Sequence, residues 1–291
     1  MPDNGVMDKE LIITGASQAY SDLVLAFVGS ANANWPGHPR ILVYDLGMSA
    51  NTVAMLAEAG VEVRRVPDFC PHWRSHFTWK IWCFCDAPAE RYLWLDAGVY
   101  VLRPFPEAFV AVDRLGYYVQ PNGFSLGQTA CQPLRDHFAG LNFDEISCIQ
   151  SGLHGLDKNK AASLLEEAYR LCLEEKYMAA DHPLGRHDQD LLSVLIHKHF
   201  APVVFLDRHL YAEHAGPDQV HGQRVWVHRR EMHPADADYF RQCVLNPLPA
   251  RLPSRNPRDR RSWIHELRVL LAKWRGRYPD ETKVIYTGVR D

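Results

Sequence analysis

Asp188 and Asp190 flank Gln189 at the start of a long apolar run, and Asp96 closes the run Tyr92-Leu93-Trp94-Leu95. Carboxylates set at the ends of buried segments suit two kinds of chemistry: taking a proton from a hydroxyl, and holding a hard cation through oxygen. Asp96-Ala97-Gly98 reads as a turn between a buried strand and a second short strand, Val99-Tyr100-Val101. Thr14-Gly15 and Asp45 likewise follow apolar runs, so three polar residues are delivered to strand ends. Each position also has a plainer reading. An aspartate after a strand caps a turn, one before a helix caps it, and a lysine stem lies along a neighbouring indole.

The elements that carry these residues alternate. Leu11–Thr14, Arg40–Asp45, Val61–Val66 and Tyr92–Leu95 read as strands, with helices over 20–34, 49–59 and 76–86. Strand, helix, strand with short turns predicts a mostly parallel, doubly wound α/β sheet, which binds ligands beyond the carboxyl ends of its strands. Thr14, Asp45 and Asp96 all fall at such ends. Further on, 117–120 reads as a strand and 149–156 as a strand interrupted by Gly152 and Gly155. Helices follow over 159–176 and 188–200, then strands over 203–206 and 224–228.

Several function classes fall away. Lys plus Arg number 32 against 35 Asp plus Glu, for a net charge of −3, and a nucleic-acid binder normally shows a basic excess. Leu11 to Gly15 suggests a dinucleotide fold, but the next glycine is Gly29 and no tyrosine has a lysine four residues on. His209, His214, His221, His228 and His233 lack the spacing that sets zinc ligands on one element. Seven cysteines without a C-x-x-C pair, a polar opening and no apolar run near ~18 residues predict a cytoplasmic protein with free thiols.

In chain order, four segments resemble the nucleotide-sugar glycosyltransferases of the GT-A fold, in the glycogenin and galactosyltransferase-like branch. Leu95-Asp96-Ala97-Gly98 resembles the strand end that carries Asp-x-Asp, with Gly98 in place of the second carboxylate. Phe77-Thr78-Trp79-Lys80 is similar to the segment that sets a cation near the nucleotide diphosphate. Gln150-Ser151-Gly152 is similar to the Asn-Ser-Gly strand beside the donor sugar, and Asp188-Gln189-Asp190 to the helix start beside the reacting centre.

The resemblance covers about residues 11–230. It implies a GT-A-like domain over 1–246 that moves a sugar from a nucleoside diphosphate donor to a hydroxyl of a glycan, glycolipid or protein, as in bacterial-type polysaccharide or glycolipid synthesis. Thr14, Gly15 and Asp45 would then meet the nucleoside, and Lys80, Asp96 and Gly98 the diphosphate. Gln150, Ser151 and Gly152 would meet the sugar, with Asp188, Gln189 and Asp190 as catalytic candidates. A Mn or Mg ion held by Asp96 and His228 and a metal-free site relying on Lys80 stand as equal expectations. The missing carboxylate at Gly98 also leaves open a non-catalytic nucleotide-sugar or glycan binder.

Residues 247–291 read as a Pro-rich linker and a basic amphipathic helix. Between Arg251 and Arg277 nine basic residues face two acidic ones, around Trp263, Leu267, Leu270, Leu271 and Trp274. Such a helix either packs on the domain or lies on an anionic membrane surface, which would make the protein membrane-peripheral.

Overall fold

The computed structural model describes residues 8–181, 184–206, 211–213, 223–227, 233–246 and 248–252. In chain order they form β1 (Asp8–Ala16), α1 (Ser21–Asn34), β2 (Ile41–Asp45), α2 (Ala50–Glu58), β3 (Glu62–Arg65), α3 (Thr78–Asp86) and β4 (Ala89–Leu95). Then come β5 (Val99–Val101), α4 (Pro106–Leu115), β6 (Tyr117–Ser125), α5 (Leu126–Thr129), α6 (Gln132–His137) and β7 (Ser147–Asp157). The remainder is α7 (Ala162–Cys172), α8 (Glu175–Met178), α9 (Asp188–Phe200), β8 (Tyr211–Glu213), β9 (Val225–Val227) and α10 (Pro234–Gln242).

Six strands make one sheet in the order β3-β2-β1-β4-β7-β6. The first four are mutually parallel and β7 runs antiparallel to both its neighbours. Successive side chains of a strand point to opposite faces, and both faces here are covered. Thus Leu11, Ile13, Tyr92 and Trp94 enter the core that also holds Ile81, Phe84, Leu164 and Leu191. Ile12, Leu93 and Leu95 enter the opposite core with Val24, Phe27 and Val112. This double burial is why the strands read as continuous apolar runs. A second sheet, β5-β9-β8, is not hydrogen-bonded to the first, but Val99, Val101 and Val225 share its core with Ile12 and Leu93.

Four expectations change. The glycines do not interrupt β7, which runs unbroken through both. A Cβ at Gly155 would lie 2.5 Å from Leu93 and 2.7 Å from Val112, so the missing side chain admits α4 against the sheet. Residues 203–206 form no strand: the Val204 N–H donates to the Tyr117 hydroxyl (2.7 Å) and the Leu206 carbonyl accepts from Gln120 (3.2 Å). The helix read over 76–86 begins at Thr78, because His76 (φ 56°) and Phe77 (φ 57°) are left-handed. The helix over 159–176 is divided into α7 and α8.

All seven cysteines are free thiols. Among the described residues no helix is long and apolar enough to cross a membrane. The basic helix read beyond residue 252, and His228, lie outside the described residues.

Candidate functional site

Four elements meet at the carboxyl end of β4. Alternation puts Trp94 and Asp96 on one side of the strand, and the indole Nε1 donates to Asp96 Oδ1 at 2.7 Å. The Asp96 N–H donates to the Gly152 carbonyl on β7 (2.9 Å), and its own carbonyl accepts from Val99 to close the turn into β5. A Cβ at Gly152 would stand 2.8 Å from Asp96 Oδ2, so the glycine lets the carboxylate lie directly over β7.

Lys80, in the first turn of α3, is buried (4% exposed) in the segment Thr78-Trp79-Lys80-Ile81. Its Nζ lies 2.9 Å from Asp96 Oδ1 and 3.6 Å from Asp188 Oδ2, with the rings of Phe77, Trp79 and Trp94 at 5.4–6.0 Å. Burial alone would depress the ammonium, but the two carboxylates outweigh it and raise its pKa.

Asp188 opens α9 and is 2% exposed. Its Oδ2 has no hydrogen-bond partner, only the shared ammonium, while the Ser151 side chain hydrogen-bonds the carboxyl group. Burial first, and the charge of Asp96 second, push Asp188 up to about 6 against the pull of Lys80. Fully ionised, the trio would carry one surplus negative charge, with Lys80 and Asp188 buried and the Asp96 side chain 39% exposed. A proton on Asp188 relieves it.

Asp190 points elsewhere. Its Oδ1 accepts from the Thr129 hydroxyl (2.6 Å) and the Cys148 thiol (3.6 Å), and its Oδ2 from the Arg186 N–H (2.8 Å). Burial raises its pKa too, but its oxygens are engaged in holding the chain that enters α9. Gln189 lies half-buried with Nε2 3.5 Å from the Cys148 sulfur, and Gln150 and Ser151 are buried on β7.

The structure thus brings Lys80, Asp96, Ser151, Gly152 and Asp188 together. Thr14 is fully buried, and Gly15 lies beneath the indole of Trp79. Asp45 uses Oδ1 to accept from the Gly47 and Met48 N–H groups (2.8 and 2.6 Å), an Asx turn. Among the described residues the hydrogen bonds and ion pairs of the charged trio do not involve Thr14 or Asp45. Gly98 lies in the turn and offers no side-chain ligand.

Sequence reasoning missed Trp94, although its position two residues before Asp96 on a strand signals a shared face. It also missed His154, opposite Trp94 across β4 and β7, fully buried with its ring 4.6 Å from Phe84. Burial, then Lys80, push that imidazole down to about 3, so it is neutral.

No family model and no curated protein matches the chain. Among solved structures, the apo bifunctional glycosyltransferase WbbM superposes with a TM-score of 0.54 at 12% identity, over 84% of this chain and 51% of that one. The fold is that of the GT-A glycosyltransferases. This chain therefore spans about half the length of WbbM. The galactosyltransferase LgtC, solved with donor and acceptor sugar analogues, aligns at TM-score 0.45 and 17% identity over 92% and 99% of the two chains. Core-mannan synthase A of Aspergillus fumigatus, in a Mn/GDP form, aligns at 0.45 and 9% identity over 67% and 71%.

The GT-A fold raises the question of a divalent cation. Among the described residues no three His, Cys, Asp or Glu side chains gather to hold one. Asp96 Oδ1 already accepts from Lys80 and Trp94, and Gly98 has no side-chain donor atom. Among the described residues Asp96 is therefore part of an ion pair with Lys80 rather than of a cluster of oxygen ligands. His228, read as the second ligand, is outside the described residues.

Proposed function

We propose that this GT-A-fold chain is a glycosyltransferase that takes its sugar from a nucleoside diphosphate donor. The observation that carries the reading is the buried Lys80, shared by Asp96 and Asp188 where α3 and α9 begin. The leaving group of such a donor is a diphosphate anion. The ammonium and the positive ends of two helices oppose the charge that develops there, most fully once Asp188 has taken up the acceptor's proton and the trio is net neutral.

Asp188 is the carboxylate that faces the reaction. An acceptor hydroxyl gives its proton to Asp188, the oxygen bonds to the anomeric carbon, and the bond from that carbon to the diphosphate oxygen breaks. A base near pKa 6 is mostly ionised at neutral pH and still takes a proton readily. Should the sugar be transferred with retention, the same carboxylate steadies the oxocarbenium ion instead. Asp190 positions the entry to α9, Gln189, Gln150 and Ser151 line the sugar side, and Asp45 offers Oδ2 to the nucleoside at the end of β2. Thr14 supports that edge from within the core. The transferase unit spans 1–246, with 247–291 as an extension, and the acceptor is a hydroxyl of a glycan, glycolipid or protein.

Thermal-shift measurements with nucleoside diphosphates and their sugars test this, in Mn2+ and in chelator. A ligand at 100 times its Kd adds about 2.7 kcal/mol of apparent stability, so a bound donor raises the melting temperature, and slow release of free sugar marks a transferase rather than a binder. A chain whose melting no nucleotide shifts is not a nucleotide-sugar transferase.

A further inference from the structure

Beside the charged trio lies a feature that the donor chemistry does not use. The non-glycine residues with positive φ among the described ones are His76 (φ 56°), Phe77 (φ 57°) and His187 (φ 56°), and all three meet here. His76 and Phe77 lead into α3 and His187 leads into α9. The His76 and His187 rings are 5.1 Å apart, and those of Phe77 and His187 6.1 Å. Positive φ at a bulky residue costs free energy, on the order of 1–3 kcal/mol, and survives where the surroundings enforce it, commonly at ligand sites. The effect here is to hold an aromatic ring outward. Phe77 is 49% exposed, although Trp79 and Ile81 nearby pack inward.

The ring is no stray surface residue, because Lys80 Nζ lies 5.4 Å from its centroid. One face of Phe77 therefore borders the cluster where the sugar would be transferred, and its exposed part meets solvent. His187 adds direction. Its Nδ1 lies 2.9 Å from the Met178 carbonyl, which can only accept, so Nδ1 carries the proton. In the neutral ring Nε2 then presents a lone pair, which suits a hydroxyl donor.

We propose that Phe77 and His187 form the subsite for the acceptor, and that its occupant is a pyranose ring. The apolar C–H face of the sugar packs on Phe77 and one of its hydroxyls donates to His187 Nε2. This rests on the transferase reading above and adds the acceptor's chemical class: a carbohydrate, not a protein hydroxyl or a bare lipid alcohol. An acceptor oxygen must come within about 3–3.5 Å of the reacting carbon, so a ring seated beside Lys80 and Asp188 is placed for attack.

Saturation-transfer NMR with methyl glycosides of glucose, galactose, mannose and N-acetylglucosamine tests the subsite, run with the nucleoside diphosphate that shifts melting most. For the wild type, at least one glycoside should take up saturation, strongest on its ring C–H protons. Phe77→Gly, which relaxes the left-handed backbone as it removes the ring, should cut that signal at least fivefold, while Phe77→Tyr retains it. The nucleotide-induced melting shift, measured on each variant, reports an intact fold and donor site. Equal saturation in Phe77→Gly, or none in the wild type with the nucleotide shift present, overturns the subsite. Loss of the nucleotide shift in the wild type overturns the transferase reading instead.

Discussion

The starts of α9 and α10 each bury an aspartate in the first helical turn, and they treat it in opposite ways. At α10, Asp236 (1% exposed) meets Arg251 at 2.6 Å, and the arginine's backbone is gripped by Asn34 through two hydrogen bonds of 2.9 and 3.1 Å. The residue before that helix, His233, is extended and accepts the Ala235 N–H. That carboxylate faces an arginine at close range, and the backbone before the helix is relaxed. At α9, Asp188 shares Lys80 with Asp96 at the longer distance of 3.6 Å, behind a positive-φ His187 with no side-chain cap. A carboxylate that only had to fold would have been given the first arrangement. Underpaired charge and enforced backbone in one place are the marks of a site kept ready for a ligand.

The sharpest way to break this comparison is Lys80→Met. It leaves Asp96 and the buried Asp188 without their cation, so Asp188 should hold its proton to higher pH. Nucleotide-induced stabilisation should vanish, and donor turnover should fall by roughly 10²–10³, the scale seen when a preorganised charge-stabilising group is removed. Calorimetric titration and sugar-release rates read both. An unchanged nucleotide shift would show that Lys80 is structural, like Arg251.

The matching substitution at α10, Asp236→Ala, should behave in the opposite sense. Removing one partner of a buried pair strands the other, but Arg251 is 44% exposed and can rehydrate, so the cost should be about 1–3 kcal/mol. Denaturant melts should show that loss, with the nucleotide-induced shift intact. A lost shift would mean that the α1–α10 face is coupled to the site.

Legibility in the sequence follows the same division. β1, β2 and β4 were readable because burial on both faces forces unbroken apolar runs, and α9 because carboxylates precede a long apolar segment. α10 was not, since only Asp236 and Phe240 are buried and its anchor is more than 200 residues away at Asn34. Asp96 could be read at its strand end, whereas Lys80 was placed only through the family resemblance, and its pairing with two distant carboxylates appears only in the fold. The difference between Asp188 and Asp190 was open to derivation. At about 100° per residue, two positions apart lie on nearly opposite sides of a helix, so both could not face the same cluster. The left-handed turn at His76 and Phe77 carries no glycine or asparagine to announce it, and tertiary contacts impose it.

The smallest effect is in the pH dependence of Asp188. Its pKa is raised from 3.8 to about 6 by folding, so between those values the folded state binds more protons than the unfolded chain. Stability from this group is full below pH 4 and is lost as pH rises through about 6, at no more than about 1.4 kcal/mol per unit. Asp188→Asn removes the titration while keeping the shape, so its melting temperature should gain on the wild type from pH 4 to pH 7 and run parallel above. The same substitution removes the proposed base, so turnover should fall at every pH although the fold is firmer. Gain of stability with loss of activity is the pairing expected of a functional carboxylate.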